Sequence, residues 1–297
     1  MIPSDDQQER AGGLLPPGLS QQAVLAWDGA AWTPRLHTTT EPGPDRLDLM
    51  TWNVLFDRYD EGQLHSEARR PLLVRAITQE ANSGVDLIAL QELQWPVLKR
   101  LLATKWLRDG WQVVLAGPPE EVDSCGLALL SRRPVQAGGF VRLRAHKGVL
   151  VARLHLGSGP VLVATTHLSS DHRGDASGRR AAELSTIRGI IDATALPVIV
   201  LGDLNDASAT PPMQLGLRDL AVDHPDFAAR PTFDSTSNPL AHENSPTKAS
   251  LRLDRVLAPS SWRADDPRLV GTTPTDGLHP SDHYAVRMVA SPRLFGP

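Results

Sequence analysis

From Leu47 onward, short apolar runs alternate with longer amphipathic stretches. Short apolar runs bounded by Gly, Pro or Asp mark buried strands, and apolar residues recurring every three or four positions mark helices. Strands are predicted on that basis at Leu47–Val54, Val85–Leu90, Gln112–Ala116, Gly126–Ser131, Gly148–Leu156, Pro160–His167, Pro197–Leu201, Leu253–Ala258 and His283–Val289. Helices are predicted at His65–Ser83, Trp95–Asp109 and Ser177–Ala193. Strands outnumber helices, and many must be joined by hairpins. The pattern favours a mixed α/β body with stacked sheets over a simple alternating parallel fold.

The segment before Leu47 reads differently. It is rich in Pro, Gly, Gln and Thr and is punctuated by Pro16-Pro17-Gly18 and Glu41-Pro42-Gly43-Pro44. Between these, Ala23–Trp27 and Ala30–Trp32 flank Asp28-Gly29, a hairpin signal. Residues 1–46 are therefore expected to form an extension with one small hairpin whose tryptophans pack on the main body. Residues 47–291 form the main domain, and 292–297 a tail. The polar stretch Pro225–Ser250 reads as a long loop, and long loops in compact domains are often functional.

Composition narrows the function classes. The chain has 297 residues, 41% hydrophobic and 22% charged, as a soluble globular protein does. Its net charge of −4 argues against coating nucleic acid by bulk positive charge, while leaving room for a local basic cleft or cation-holding acids. A single cysteine, Cys125, excludes an intramolecular disulfide framework and a zinc site built on several thiolates. No stretch reaches the ~18–20 consecutive apolar residues that span a bilayer, and the N-terminus is polar and acidic, so a cytoplasmic protein is expected. Of the 30 basic residues 26 are arginine, which suits bidentate phosphate binding and equally reflects a codon bias.

The candidate chemistry gathers at strand ends. Leu47–Trp52 runs into Asn53, Asp86–Gln91 into Glu92, and Val161–Thr166 into His167. Val198–Gly202 runs into Asp203 and then Asn205, and Ser281-Asp282-His283 precedes the last strand. Each alone has an ordinary explanation. Glu92 is placed as a helix N-terminal charge, Asp203 and Asn205 as turn formers, Ser281-Asp282 as a cap, and His167 as a core histidine. Five such coincidences are harder to set aside, because ligands of open α/β sheets bind at strand ends. Carboxylates, amides and histidines converging there suit a divalent cation and a phosphate.

These residues resemble the endonuclease/exonuclease/phosphatase superfamily. The matching motifs are Thr51-Trp52-Asn53, Leu90-Gln91-Glu92, Thr166-His167-Leu168, Gly202-Asp203-Leu204-Asn205, Leu253-Asp254-Arg255-Val256 and Ser281-Asp282-His283, in the family's order over about Leu47–Val289. The resemblance implies a four-layer α/β sandwich, two packed mixed β-sheets flanked by helices. Thr232-Phe233-Asp234-Ser235, Asn238, Leu251–Val256 and Thr166–Ser170 look most like the 5′-tyrosyl-DNA phosphodiesterase branch, with Ser169 where that branch has an acid. Similar loops occur in bacterial relatives of RNA repair, so DNA and RNA both remain open.

The resemblance implies roles residue by residue. Glu92, with Asn53 and Asp282, is expected to hold Mg²⁺, with Mn²⁺ as a substitute. Asp203 is expected to orient or deprotonate the attacking water, and Asn205 to position that water or a phosphate oxygen. His167 and His283 are expected to donate to the non-bridging oxygens, Asp254 holding the His283 ring. Phe233, Ser169, Arg252 and Arg255 are candidate substrate-binding residues, and because strand alternation puts Arg252 and Arg255 on opposite faces, at most one of the two reaches the phosphate. Phe233 reads equally as a base-stacking platform or a core anchor. The basic run Arg142, Arg144, His146 and Lys147 reads as a phosphate track or a solvated sheet face, and Cys125 as a small buried residue without catalytic role.

The leading expectation is a divalent-metal phosphodiesterase acting on nucleic-acid ends, removing 5′-adducts from DNA or processing RNA termini, as a monomer with no membrane partner. A phosphatase acting on an inositol phosphate, lipid headgroup, nucleotide or other small phosphate ester is the alternative, and a non-catalytic binding module a further one. No Gly-x-Ser-x-Gly or phosphate-loop motif supports an unrelated hydrolase.

Overall fold

The structure is a computed structural model that describes residues 13–35, 42–58, 60–171 and 175–293. Residues 1–12 and 36–41 of the expected extension, and 294–297 of the expected tail, lie outside the described residues. In chain order the first elements are β1 (Ser20–Gln22), β2 (Val24–Trp27), β3 (Trp32–Pro34), β4 (Leu47–Asn53), α1 (Ser66–Asn82), β5 (Leu87–Gln91), α2 (Trp95–Leu102), β6 (Gln112–Leu115) and β7 (Ala128–Ser131). They are followed by β8 (Ala137–Arg144), β9 (Lys147–Leu156), β10 (Gly159–His167), α3 (Ala176–Asp192), β11 (Val198–Asp203), β12 (Arg218–Asp219), β13 (Asp254–Ala258), β14 (Trp262–Val270) and β15 (Ala285–Pro292).

The strands form two mixed sheets. One has seven strands in the order β1-β8-β9-β10-β11-β13-β12, the other eight in the order β14-β15-β4-β5-β7-β6-β2-β3. The layering follows from strand alternation, since successive side chains leave opposite faces of a sheet. Leu47 and Leu49 of β4, Leu87 and Ala89 of β5, Val161 and Val163 of β10, and Ile199 and Leu201 of β11 meet in one core between the sheets. Their neighbours face outward. Met50, Trp52, Ile88 and Leu90 pack under Leu73 and Ile77 of α1 and Leu98 and Leu101 of α2. Leu162, Ala164, Val198 and Val200 pack under Leu184 and Ile187 of α3. Helix, sheet, sheet and helix are thus four layers around three apolar seams, because the central strands are apolar on both faces.

Four strands escaped the sequence reading, the very short β1 and β12 and the longer β8 and β14. β14 lies at a sheet edge, carries Pro267 and four acidic or basic residues in Arg263, Asp265, Asp266 and Arg268, and slips register between Asp265 and Arg268. Those are the features by which edge strands avoid further pairing, and they also erase an apolar pattern. β8 begins Ala137-Gly138-Gly139, which reads as a turn, yet Gly138 is pressed so closely on Val114 that a Cβ there would lie 2.7 Å from its Cγ1. The predicted helix Trp95–Asp109 ends at Leu102, with a separate turn at Lys105–Arg108. Within Pro225–Ser250 two short helical turns form, Pro225–Ala228 and Pro239–Asn244.

The predicted hairpin is β2–β3, paired through Leu25↔Pro34 and Trp27↔Trp32. It continues the eight-stranded sheet through β2 and β6, while β1 pairs with β8 on the seven-stranded one. Trp32 packs on the body, its Nε1 donating to the Leu102 carbonyl at 3.2 Å. No described helix is long and apolar enough to cross a membrane.

Candidate active site

Two parallel pairs bring the strand-end residues to one place. β4 runs parallel to β5 with Asn53 opposite Gln91, and β10 runs parallel to β11 with His167 opposite Asp203. β13 is antiparallel to β11 and starts with Asp254 opposite Asp203. His283 stands just before β15, which is antiparallel to β4. The C-terminal ends of four strands and the N-terminal starts of two others therefore converge, one contribution from each sheet face to face.

Local backbone geometry serves the same point. Glu92, the residue after β5, has φ +58°, unusual for a residue with a side chain. Its backbone lies so close to Gly126 that a Cβ there would come within 3.0 Å of the Glu92 Cα. Gly202 is required in β11: φ is +146°, and a Cβ would stand 2.0 Å from the Thr166 carbonyl oxygen. Asn205 is also left-handed, at φ +49°, which asparagine tolerates.

Asn53 joins the two sheets. Its Nδ2 donates to Glu92 Oε1 at 3.1 Å and to Asp203 Oδ2 at 3.0 Å, while its Oδ1 accepts from the Leu55 N–H at 3.1 Å. In this arrangement the amide donor, not the carbonyl, faces the carboxylates. Glu92 Oε2 accepts from the Phe56 N–H at 2.6 Å, which leaves Oε1 directed at the centre. His167 Nε2 lies 3.6 Å from Glu92 Oε1 and 3.5 Å from Asp203 Oδ2. Asn205 donates its backbone N–H to Asp203 Oδ1 at 2.9 Å and its amide to the Leu168 carbonyl at 3.0 Å.

On the other side of Asp203, His283 Nδ1 is hydrogen-bonded to Asp254 Oδ2 at 2.7 Å, and His283 Nε2 lies 3.8 Å from Asp203 Oδ2. Ser281 Oγ donates to the Asn53 carbonyl at 2.7 Å and accepts from the His283 N–H at 3.2 Å, and Trp52 Nε1 donates to the His283 carbonyl at 2.9 Å. The Ser-Asp-His loop is thereby fastened to β4. Asp282 accepts from Asn244 Nδ2 at 2.9 Å, so the helical turn Pro239–Asn244 reaches the site.

The electrostatics are divided between the two histidines. Burial and the positive charges of Lys147 and His283 hold His167 well below the usual histidine value, so it is neutral. Burial works against the charge of His283 too, but Asp254 and Asp203 together outweigh it and hold its pKa well above that value. The Asp203 carboxyl is raised to about 6, by burial and by Asp254, with His283 pulling the other way. A buried carboxylate poised near neutrality beside an imidazolium is equipped to accept a proton.

Among the described residues, Asp203, Asp254 and His283 offer ligand atoms within 4.8 Å of one another, a possible divalent-cation site. Glu92 Oε1, beside His167 and Asn53, offers an oxygen donor outside that cluster. The donors suit a hard cation, which takes one or two carboxylates and keeps waters.

The substrate-binding candidates fare differently. Phe233 is buried against His283, ring centroids 5.0 Å apart, and lines the cavity over the site. Ser169 donates from Oγ to Glu183 Oε1 at 2.6 Å and from N–H to Oε2 at 2.8 Å, so its hydroxyl is turned to α3. Strand alternation does not separate Arg252 from Arg255, because Arg252 precedes β13. Both approach Asp219, at 2.6 and 3.7 Å, and neither lines the cavities at the centre.

Two side chains, Arg69 and Arg180, were not singled out from sequence, and Lys147 was read only as part of a basic run. Arg69 of α1 is fully buried and donates to the Val54, Leu55 and Pro280 carbonyls and to Asp57, tying the loop after β4 to the Ser-Asp-His loop. Its signal was a charge on the buried face of α1, in step with Leu73 and Ile77. Arg180 lines the smaller cavity and donates to the Ser169 carbonyl at 2.9 Å. Lys147, at the start of β9, lines the larger cavity with Glu92 and His167, while Arg142 and Arg144 are exposed.

The sequence model described as Endonuclease/Exonuclease/phosphatase family matches residues 50–283. No curated protein matches the chain. Among solved structures, that of D. rerio TDP2 complexed with a single-strand DNA product superposes with a TM-score of 0.67 at 20% identity, over 83% of this chain and 99% of that one. Sphingomyelinase C from Streptomyces griseocarneus superposes with a TM-score of 0.61 at 22% identity, over 84% and 99%. A functionally unknown conserved protein from Enterococcus faecalis V583 gives 0.64 at 18% identity, over 83% and 100%.

Proposed function

The chain belongs to the endonuclease/exonuclease/phosphatase family, hydrolases of phosphoester bonds, and from that premise we propose that it is a divalent-metal-dependent phosphodiesterase acting at nucleic-acid ends. The observation that carries the reading is the buried Asp203 carboxylate, held by Asn53 and Asn205 between a neutral His167 and a charged His283.

Asp203 receives the proton of the attacking water, and the Asn205 N–H fixes the carboxylate that does so. The protonated His283, oriented by Asp254, presents Nε2 to a non-bridging oxygen, where negative charge grows during displacement. His167, neutral, donates to a second oxygen. Asn53 holds Glu92 and Asp203 at a fixed separation. Glu92 and Asp282, with water, would hold Mg²⁺ or Mn²⁺, whose charge neutralises the phosphoryl group. The Glu92 site is favoured over the Asp203–Asp254–His283 cluster because a cation there would compete with the proton that His283 Nδ1 shares with Asp254.

The nucleic-acid end is supported by the likeness to a TDP2 structure holding a DNA product. A cytoplasmic monomer is part of the same reading. The test is a panel of end-labelled oligonucleotides with Mg²⁺ or Mn²⁺: 5′-phosphotyrosyl DNA, plain and abasic DNA, and RNA with 3′-hydroxyl, 3′-phosphate or 2′,3′-cyclic ends. Metal-dependent cleavage of one substrate, lost in Asp203→Ala, is expected. Turnover of small phosphate esters or sphingomyelin with no oligonucleotide cleaved would overturn the nucleic-acid assignment.

A further inference from the structure

Two cavities meet at the centre. Glu92 and His167 line both, whereas Asp203 and Asn205 line only the smaller, of about 300 Å³. Water delivered from Asp203 attacks from the smaller cavity's side. In-line displacement drives the departing oxygen to the opposite side of phosphorus, toward the larger cavity of about 850 Å³.

The larger cavity is lined by charges of both signs. Lys147 lines it with Glu92 and His167, the two residues it shares with the smaller cavity, and feels the charges of Glu92 and Asp203. Arg58 is engaged with Asp123 at 3.3 Å. Glu120 and Glu121, on the turn Pro119–Ser124, are exposed and form no ion pair among the described residues. Phe56 and Trp95 add aromatic residues to its lining. A departing group therefore enters a cavity that offers a cation, two aromatic residues and two carboxylates without an ion pair among the described residues.

We propose that this cavity is a leaving-group subsite in which Glu120 and Glu121 select a positively charged or uncharged leaving group and reject an anionic one. The proposal rests on the phosphodiesterase reading and deepens it. A nucleic-acid strand continuing through the larger cavity would set its next phosphate against both carboxylates. The strand then belongs in the smaller cavity, and the bond cut is the terminal one, to a group without phosphates of its own.

Three aryl esters of thymidine 5′-monophosphate test this, carrying 4-(2-aminoethyl)phenyl, 4-ethylphenyl and 4-(2-carboxyethyl)phenyl groups. The three phenols have similar acidity and differ in charge. Their kcat/KM values are measured at low ionic strength with Mn²⁺, each relative to the neutral ester. The cationic ester should exceed the anionic one by about tenfold, and the ratio should shrink with added salt. The Glu120→Gln/Glu121→Gln double variant should bring the ratio near one. Hydrolysis of all three esters with no charge preference, or a preference unchanged in the double variant, overturns the subsite alone. Hydrolysis of none overturns the phosphodiesterase reading and the subsite with it.

Discussion

Asp254→Asn is the substitution that separates charge from shape at this site. Asparagine keeps an acceptor where Asp254 Oδ2 meets His283 Nδ1 at 2.7 Å, but removes the negative charge. Both side chains are buried, so solvent does not compensate. One-sided loss of a buried ion pair costs about 3–5 kcal/mol, and a charge-assisted hydrogen bond is roughly twice as strong as the neutral bond that replaces it. The surviving acceptor thus returns part of the loss, leaving about 2–3 kcal/mol. If His283 acts as an imidazolium on the phosphoryl oxygen, kcat/KM should fall roughly 30- to 150-fold at neutral pH. Steady-state hydrolysis of bis(p-nitrophenyl) phosphate with Mn²⁺ reads this directly. Stability gives an independent reading. The folded state holds the His283 proton more tightly than the unfolded chain, so this stabilisation is complete below the ordinary histidine pKa and is lost as pH rises through the raised folded value. The urea-unfolding gap between parent and Asp254→Asn should therefore be wide near pH ~6 and narrow in alkali. A variant within about threefold of parental kcat/KM, with a pH-independent stability gap, would refute the imidazolium role.

Three other outcomes follow from the same geometry. Asp203 must be ionised to accept a proton, and with its pKa raised to about 6, kcat/KM should fall on the acid side with a limb centred no higher than that value, since a bound cation pulls it down; a limb centred above neutrality assigns the base to another group. Gly202→Ala should destabilise the fold by more than about 3 kcal/mol in urea titration, because the new Cβ would stand 2.0 Å from the Thr166 carbonyl at a φ of +146°; a loss under about 1 kcal/mol would show that β10 and β11 can part without cost. Burial pushes the Cys125 thiol up to about 11, so iodoacetamide at mildly alkaline pH should label it far more slowly than a free thiol until denaturant is added; rapid labelling of the native protein would contradict that.

The gathering of the candidate side chains was legible in the sequence because most of them follow an apolar run. A strand's end can be read from where its apolar residues stop, and Asn53, Glu92, His167 and Asp203 stand there, while His283 stands where the last run begins. The two sheets were legible for the same reason: strands apolar on both faces must be covered on both faces, by another sheet within and by helices outside. Tertiary structure alone decided the rest. Whether Arg252 and Arg255 share a face depended on where β13 begins, one residue that periodicity does not resolve. That Ser169 turns to Glu183, that Arg69 ties two loops, and that Lys147 stands beside Glu92 are contacts between residues 14 to 211 positions apart. Local pattern records which face a residue takes. It does not record what stands opposite, because that depends on how two sheets built from distant segments come together.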